Sequence, residues 1–296
     1  MSSFLTVRAA VTRWKPADSD SREGQAKAAN LIRLLDDKPL SRFTVGDVQR
    51  HVAARKKQGI SNRTANLELT LLRSLFRYAV DNGIVTFNPA ARVKNLKVPK
   101  RDREVISREQ FAALVEAAEK TRTGKGLALW VAMGGMTGMR PTESLTLEWR
   151  DVMWDDNRIM VRPKMESPVK TGAFRAVPIA EELRPRLTDW RAEWERRTAG
   201  LAVGHDWVFI HWHDPARRTL CFRTAFEKAV ATAMIERLTP YDLRHFFITE
   251  CVKQHLSLVT IAKWVGHSSL TMINDVYAHL DDGFHQEEMR RASFTA

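Results

Sequence analysis

Cysteine is nearly missing from these 296 residues: only Cys221 and Cys251 occur, with no CxxC pair. That excludes a disulfide framework and a cysteine-based zinc site, and it makes a reducing, cytosolic setting the expectation. No apolar run reaches membrane-spanning length, so no membrane partner is expected. The first residues, Met1-Ser2-Ser3-Phe4-Leu5, lack the basic start and long apolar stretch of a secretion signal. Tyrosine is scarce as well. Tyr78, Tyr241 and Tyr277 are the whole supply, so chemistry that needs a phenol has few candidates. Negative charge is also short, with 35 Asp+Glu against 47 Lys+Arg, a net of +12.

That excess is uneven. Residues 1–100 carry 19 Lys+Arg against 8 Asp+Glu, while residues 101–296 carry 28 against 27. A basic segment joined to a near-neutral one fits a polyanion clamp attached to a unit that works on the polyanion. The basic residues fall on helical patterns rather than in a tail, which favours nucleic acid over a merely solvated surface. Hydrophobic content of 44% and a length of 296 residues suit two globular domains.

Along residues 1–93 the apolar spacing predicts a small all-helical bundle. Residues 21–35 read as a helix with Ala28, Leu31, Ile32 and Leu35 on one side. A second helix opens at Thr44 and runs to about Lys57, with Val48, His51 and Val52 inward. A third is capped by Ser61 or Asn62 and runs to Asp81, carrying Leu67, Leu71, Leu72, Leu75 and Phe76. Lys56, Lys57, Arg63, Arg73 and Arg77 are the candidate phosphate contacts of this bundle. Residues 94–106 are charged, contain proline and lack period, and read as a linker. Ser107-Arg108-Glu109-Gln110 then fits a capping box that opens a second domain, residues 107–296.

In that domain residues 127–136 form an apolar, buried helix, followed by Thr137-Gly138-Met139-Arg140-Pro141-Thr142-Glu143. Gly138 breaks the chain, Pro141 takes the favoured first position of a new helix, and Glu143 is close enough to pair with Arg140. An arginine held at a helix start suits a phosphate oxygen. Residues 149–161 predict two short strands turned at Asp155-Asp156-Asn157, and residues 175–179 a third. Helices follow over 181–197 and 223–234. His211 and His213 alternate as strand neighbours, but no third ligand stands nearby, so they read as structural or surface residues and no metal is expected. Further on come Tyr241-Asp242-Leu243-Arg244-His245 and then Gly266-His267-Ser268-Ser269 through Tyr277-Ala278-His279. Gly266 can end one helix, and Leu270, Ile273, Val276 and Tyr277 share a face of the next.

Taken in order, these boxes resemble those of the tyrosine recombinases, the phage-integrase family. The likeness is strong over roughly the last two-thirds of the chain and weak over the first third. It implies a mainly α fold with a small antiparallel β-sheet: a helical, core-type DNA-binding domain followed by an α+β catalytic domain with a C-terminal tail. By that resemblance Arg140 and Arg244 clamp a DNA phosphate, and His267 hydrogen-bonds it. Lys170, with Lys164 as the second choice, protonates the leaving 5′ oxygen. Tyr277 attacks to form a 3′-phosphotyrosyl link, with Glu143 and His245 in support. Neither ATP, metal nor another cofactor is required. The chain departs from the family at Tyr241, where a histidine is usual. A phenol can donate to phosphate but is a poor base at neutral pH.

The resemblance further implies double-stranded DNA with specific sites as partner, a monomer when free and a homo-tetramer on DNA. It also implies a bacterial or phage-encoded, nucleoid-associated protein of DNA integration, and a tail that docks on a neighbouring copy. Two other outcomes stay open: a topoisomerase or resolvase that rejoins the original strand, and a DNA-binding accessory protein whose catalysis is weakened or lost through Tyr241.

Overall fold

A computed structural model describes residues 5–14, 29, 35, 37–99, 105–163, 174–201 and 204–266. The chain divides into two compact units, Met1–Asp102 and Arg103–Ala296. That division falls inside the stretch read as a linker.

In the first unit, helix α1 (Val7–Arg13) is capped by the Thr6 side chain, which accepts from the Ala9 amide. Helix α2 (Val45–Lys57) opens with a reciprocal capping box between Thr44 and Asp47. Helix α3 (Asn62–Asp81) is capped by Ser61 and buries Ala65, Leu69, Leu72, Leu75, Phe76 and Ala79. Apart from the adjacent pair Leu75 and Phe76, those positions step by three or four and so form one stripe. Leu67 falls between the steps and is 60% exposed, against the expectation that it faces inward. Across the α2–α3 seam, the Arg55 fork donates to Glu68 Oε2 from Nε at 2.9 Å and to Oε1 from NH2 at 2.7 Å. His51 lies 3.2 Å from the same carboxylate. The helix expected over residues 21–35 lies outside the described residues, Ala29 and Leu35 apart.

The second unit is built round helix α5 (Gly124–Thr137), which is buried over most of its length. Helix α4 (Arg108–Glu119), opened by the Ser107–Gln110 capping box, lies on it. Gly135 lets them meet: a Cβ there would stand 2.3 Å from the Phe111 ring. Next come the short helix α6 (Pro141–Leu145) and strands β1 (Val152–Met153), β2 (Arg158–Val161) and β3 (Arg175–Pro178). The strands form one antiparallel sheet in the order β1-β2-β3, with Val152 opposite Ile159 and Val161 opposite Arg175. Trp207 and Ile210 make isolated bridges to Glu148 and Arg218 rather than a strand. Helix α7 (Leu183–Thr198) packs Leu183, Leu187, Trp190 and Trp194 into the core. Helices α8 (Arg223–Thr232), α9 (Pro240–Lys253) and α10 (Leu258–Val265) complete the described part of the unit. Among the described residues no helix is long and apolar enough to cross a membrane.

Gly138 is the hinge of this arrangement. It ends α5 at φ +61°, and a Cβ there would stand 2.4 Å from Phe247 and 2.9 Å from Val265. Gly138→Ala therefore meets both a disfavoured backbone conformation and packed neighbours. The expected loss is about 2–4 kcal/mol, measured as a lower urea midpoint at unchanged slope.

Candidate active site

Arg140 is the residue before Pro141, and its extended backbone (φ −66°, ψ 145°) is the conformation a following proline imposes. Its amide donates to Glu143 Oε2 at 2.8 Å, and its guanidinium NH1 donates to Oε1, also at 2.8 Å. The expected Arg140–Glu143 pair is thus present, with Glu143 buried and Arg140 part-exposed. The aim of the guanidinium follows from the helix start. A side chain that caps its own helix through its partner at the third position cannot swing freely.

Arg244 comes from α9, next to Leu243 on that helix's buried side, and is only 5% exposed. NH1 donates to the Gly138 carbonyl at 2.7 Å and NH2 to the Val265 carbonyl at 2.6 Å. A guanidinium carries five N–H groups, and these bonds use two of them. Burial pushes Arg244 down to about 9, and the neighbouring charges of Arg140 and Arg175 push the same way against Glu143 and Tyr241.

Sequence reading missed a third arginine. Arg175, at the start of β3, donates from Nε to the Trp264 carbonyl at 2.7 Å and from NH1 to Glu143 Oε1 at 3.1 Å. Its NH2 donates to Glu143 Oε2 at 2.5 Å. A signal for it does exist. Strand periodicity puts Arg175 on the same side as Val177, which is fully buried, and a cation on that side needs a partner. Trp264, Val265 and Gly266 thereby offer consecutive carbonyls at the C-terminus of α10 to three different arginines, with Arg140 NH2 lying 3.4 Å from the Gly266 oxygen. Those carbonyls have no partner within the helix and carry the negative end of its dipole.

Three cations thus surround one carboxylate. Burial alone would raise Glu143, but the bonds and charge of Arg175, and then those of Arg140, outweigh it and hold the carboxyl below its ordinary value. The three guanidiniums thus outnumber the one carboxylate and leave the cluster with a positive excess.

Tyr241 lies in the first turn of α9 and is 50% exposed. His245 follows one turn later, half-buried beside Arg244. The structure therefore brings together Arg140, Glu143 and Arg244, with Tyr241 and His245 on Arg244's own helix. Lys164, Lys170, His267 and Tyr277 lie outside the described residues. Of the basic residues of the first unit, Lys57, Arg63 and Arg77 are exposed. Lys56 Nζ donates to the Ile60 carbonyl at 2.9 Å. Arg73 is engaged inside its own unit, donating to the carbonyls of Ala90 and Val93 and to Asn95 Oδ1. Among the described residues no group of three His, Cys, Asp or Glu is placed to hold a metal.

A family model described as the phage integrase family matches residues 104–283, and one described as the phage integrase N-terminal SAM-like domain matches residues 28–83. The chain is 24% identical over 241 residues to tyrosine recombinase XerC of Xanthomonas axonopodis pv. citri (strain 306), covering 81% of this chain and 75% of that one. Its fold is similar to that of the Tn1549 transposon integrase in complex with a circular intermediate DNA. The TM-score is 0.78 at 17% identity, over 98% of this chain and 100% of that one. It is also similar to a lambda integrase tetramer bound to a Holliday junction, with a TM-score of 0.71 at 19% identity, over 92% and 77% of the two chains.

Glu143→Gln keeps the shape of the buried carboxyl and removes its charge, leaving Arg140 and Arg175 without their counter-ion. The expected cost at neutral pH is about 2–4 kcal/mol. Because the folded carboxyl lies below 4.5, its contribution is complete above that value and drains as pH falls through the lower, folded one. Urea unfolding across acid pH should show a flatter pH dependence for the variant, with the two proteins converging in acid.

Proposed function

The chain belongs to the phage integrase family and is a tyrosine-type site-specific recombinase, and on that premise we propose how its residues divide the work. Arg140 and Arg244 grip the scissile phosphate. The observation that supports this is their convergence: two arginines 104 positions apart in sequence meet at one helix end, over a carboxylate that neutralises only part of their charge. Attack on a phosphodiester builds negative charge on the equatorial oxygens, and cations already fixed in place stabilise it without reorganising. Glu143 and Arg175 act as positioning residues that set the angle of Arg140.

The remaining roles rest on the family resemblance. Tyr277 Oη attacks phosphorus, the bond to the 5′ oxygen breaks, and a 3′-phosphotyrosyl bond forms. The departing 5′ oxygen takes a proton from Lys170. The phenol gives up its own proton, for which we assign His245, the imidazole beside Arg244 on the same helix, as acceptor. His267 directly follows Gly266, whose carbonyl Arg140 approaches, and donates to the phosphate. Attack on the phosphotyrosine by the 5′ hydroxyl of a partner strand releases Tyr277 and completes exchange. The bond energy stays in the covalent link, so the cycle needs no ATP, metal or other cofactor. The partner is double-stranded DNA, and the assembly is a tetramer on two sites. The basic first unit holds the DNA through phosphate contacts that include Lys57, Arg63 and Arg77, so binding weakens steeply with salt. The working location is the bacterial nucleoid.

The test is a nicked duplex made from the DNA that flanks the gene. The parent should form a denaturant-resistant protein–DNA adduct, and Tyr277→Phe should form none while still binding. An adduct that survives in Tyr277→Phe would move the nucleophile, with Tyr241 the next phenol to examine. Specific binding by the parent without any adduct would instead favour the accessory-protein reading.

Tyr241→His restores the family's usual donor at an exposed helix start, where the fold tolerates it. Cleavage of the same duplex should be equal or faster. A loss of more than about tenfold, a difference of about 1.4 kcal/mol, would show that the phenol has a role of its own.

A further inference from the structure

His211 and His213 belong to no part of the catalytic cluster, yet they line a cavity of about 140 Å3 in the second unit together with Arg122, Arg197 and Trp212. Ring centroids of the two histidines lie 6.1 Å apart. Arg197 NH2 donates to the carbonyls of His211 and Trp212, at 3.2 Å and 2.5 Å, and its guanidinium carbon lies 4.8 Å from the Trp212 ring centre. These contacts fix the fork. Arg197 NH1 and His211 Nδ1 are buried and make no hydrogen bond. Arg122 NH2 lies 2.9 Å from His213 Nε2. Since a guanidinium can only donate, that imidazole nitrogen accepts, and the proton of the neutral ring sits on Nδ1.

The chemistry of these groups narrows what the cavity can take. A metal ion is disfavoured because two guanidiniums share the wall and would repel it. A purely apolar ligand would leave the two buried nitrogens without partners, at a cost that buried donors seldom bear. Water at roughly 30 Å3 per molecule can fill the space, but it brings no charge. Among the described residues no aspartate or glutamate lines the cavity. The nearby Glu193 is bonded to Arg196, at 2.9 Å and 2.7 Å. Burial already pushes the Arg197 guanidinium down. An anion supplies both the acceptors and the missing charge. We propose that this cavity is a second anion site, which takes one phosphate-type oxyanion through Arg197, His211 and Arg122. The group can come from free phosphate or from a phosphodiester of DNA.

The Arg140–Arg244 clamp also attracts phosphate, so the readout must belong to the cavity. The full chain, labelled with 15N in histidine, is titrated with inorganic phosphate against chloride at equal ionic strength. The His211 ring signal is assigned by its loss in His211→Gln. The expected result is a saturable shift of that signal, with a dissociation constant on the order of millimolar. It should persist in Arg140→Ala and weaken at least tenfold in Arg197→Lys, which keeps the charge but loses the fork. Arg122→Ser, at an exposed position, should weaken it without disturbing the fold. A second arm replaces phosphate with a short duplex. A matching shift there identifies a DNA phosphodiester as the source, and its absence identifies free phosphate. The proposal is overturned if phosphate moves the His211 signal no more than chloride does, or if the shift is unchanged in both Arg197→Lys and Arg122→Ser.

Discussion

The end of α10 is closed by Gly266 in the left-handed conformation, and its outermost carbonyls are held by guanidiniums. The carbonyls of residues 264, 265 and 266 face Arg175, Arg244 and Arg140, which arrive from a strand and two other helices. Each interaction serves both sides. The helix end gains donors for carbonyls that would otherwise lack partners, and each cation gains a partial negative charge, Arg175 and Arg244 where their side chains are buried. Carbonyls are weaker counter-charges than carboxylates. Among the described residues only Glu143 provides a full charge to the cluster, and Arg140 and Arg175 share it. The cluster is therefore stable enough to form and still short of negative charge. A second carboxylate in the place of those carbonyls would steady the arginines and cancel that positive excess.

This balance depends on close backbone approach elsewhere. Gly138 presents its carbonyl to Arg244 only because α5 ends there in a left-handed turn under Phe247 and Val265. Gly134 lets Leu243 press against α5: a Cβ at that position would stand 2.9 Å from Leu243 Cδ1. Arg244 is the next residue on the same helix, so packing at Leu243 fixes the depth at which its guanidinium sits. Interiors at this density shift little when one group is removed. Losses at these glycines are thus expected to reach the clamp as changes of geometry as well as of stability.

Much of this was legible in the chain. The helix start at Thr44, the capping box at Ser107, the proline start at Pro141 and the Arg140–Glu143 pair are local features, settled within four residues, and the structure has them where the pattern put them. The three strands and their turn were legible because alternation and the Asp155-Asp156-Asn157 break are also local. Leu67 was misread because a leucine on an amphipathic helix looks inward until the phase of the whole stripe is known. Arg73 was read as a phosphate contact, yet it is bonded to segments about 20 residues further along the chain, which no helical pattern reveals.

The sequence by itself determined most of the elements, their order and two of the three cations, Arg140 and Arg244, since those depend on interactions within a turn or two and on the likeness of the boxes to a known family. Only tertiary structure decided that Arg175 joins the cluster, that one helix end collects three arginines, and that two histidines spaced as if for a metal line a cavity with arginines instead. The physical reason is range. A hydrogen bond between residues 89 or 126 positions apart depends on how whole elements pack, and packing is a property of the assembled core that leaves no periodic trace in either segment.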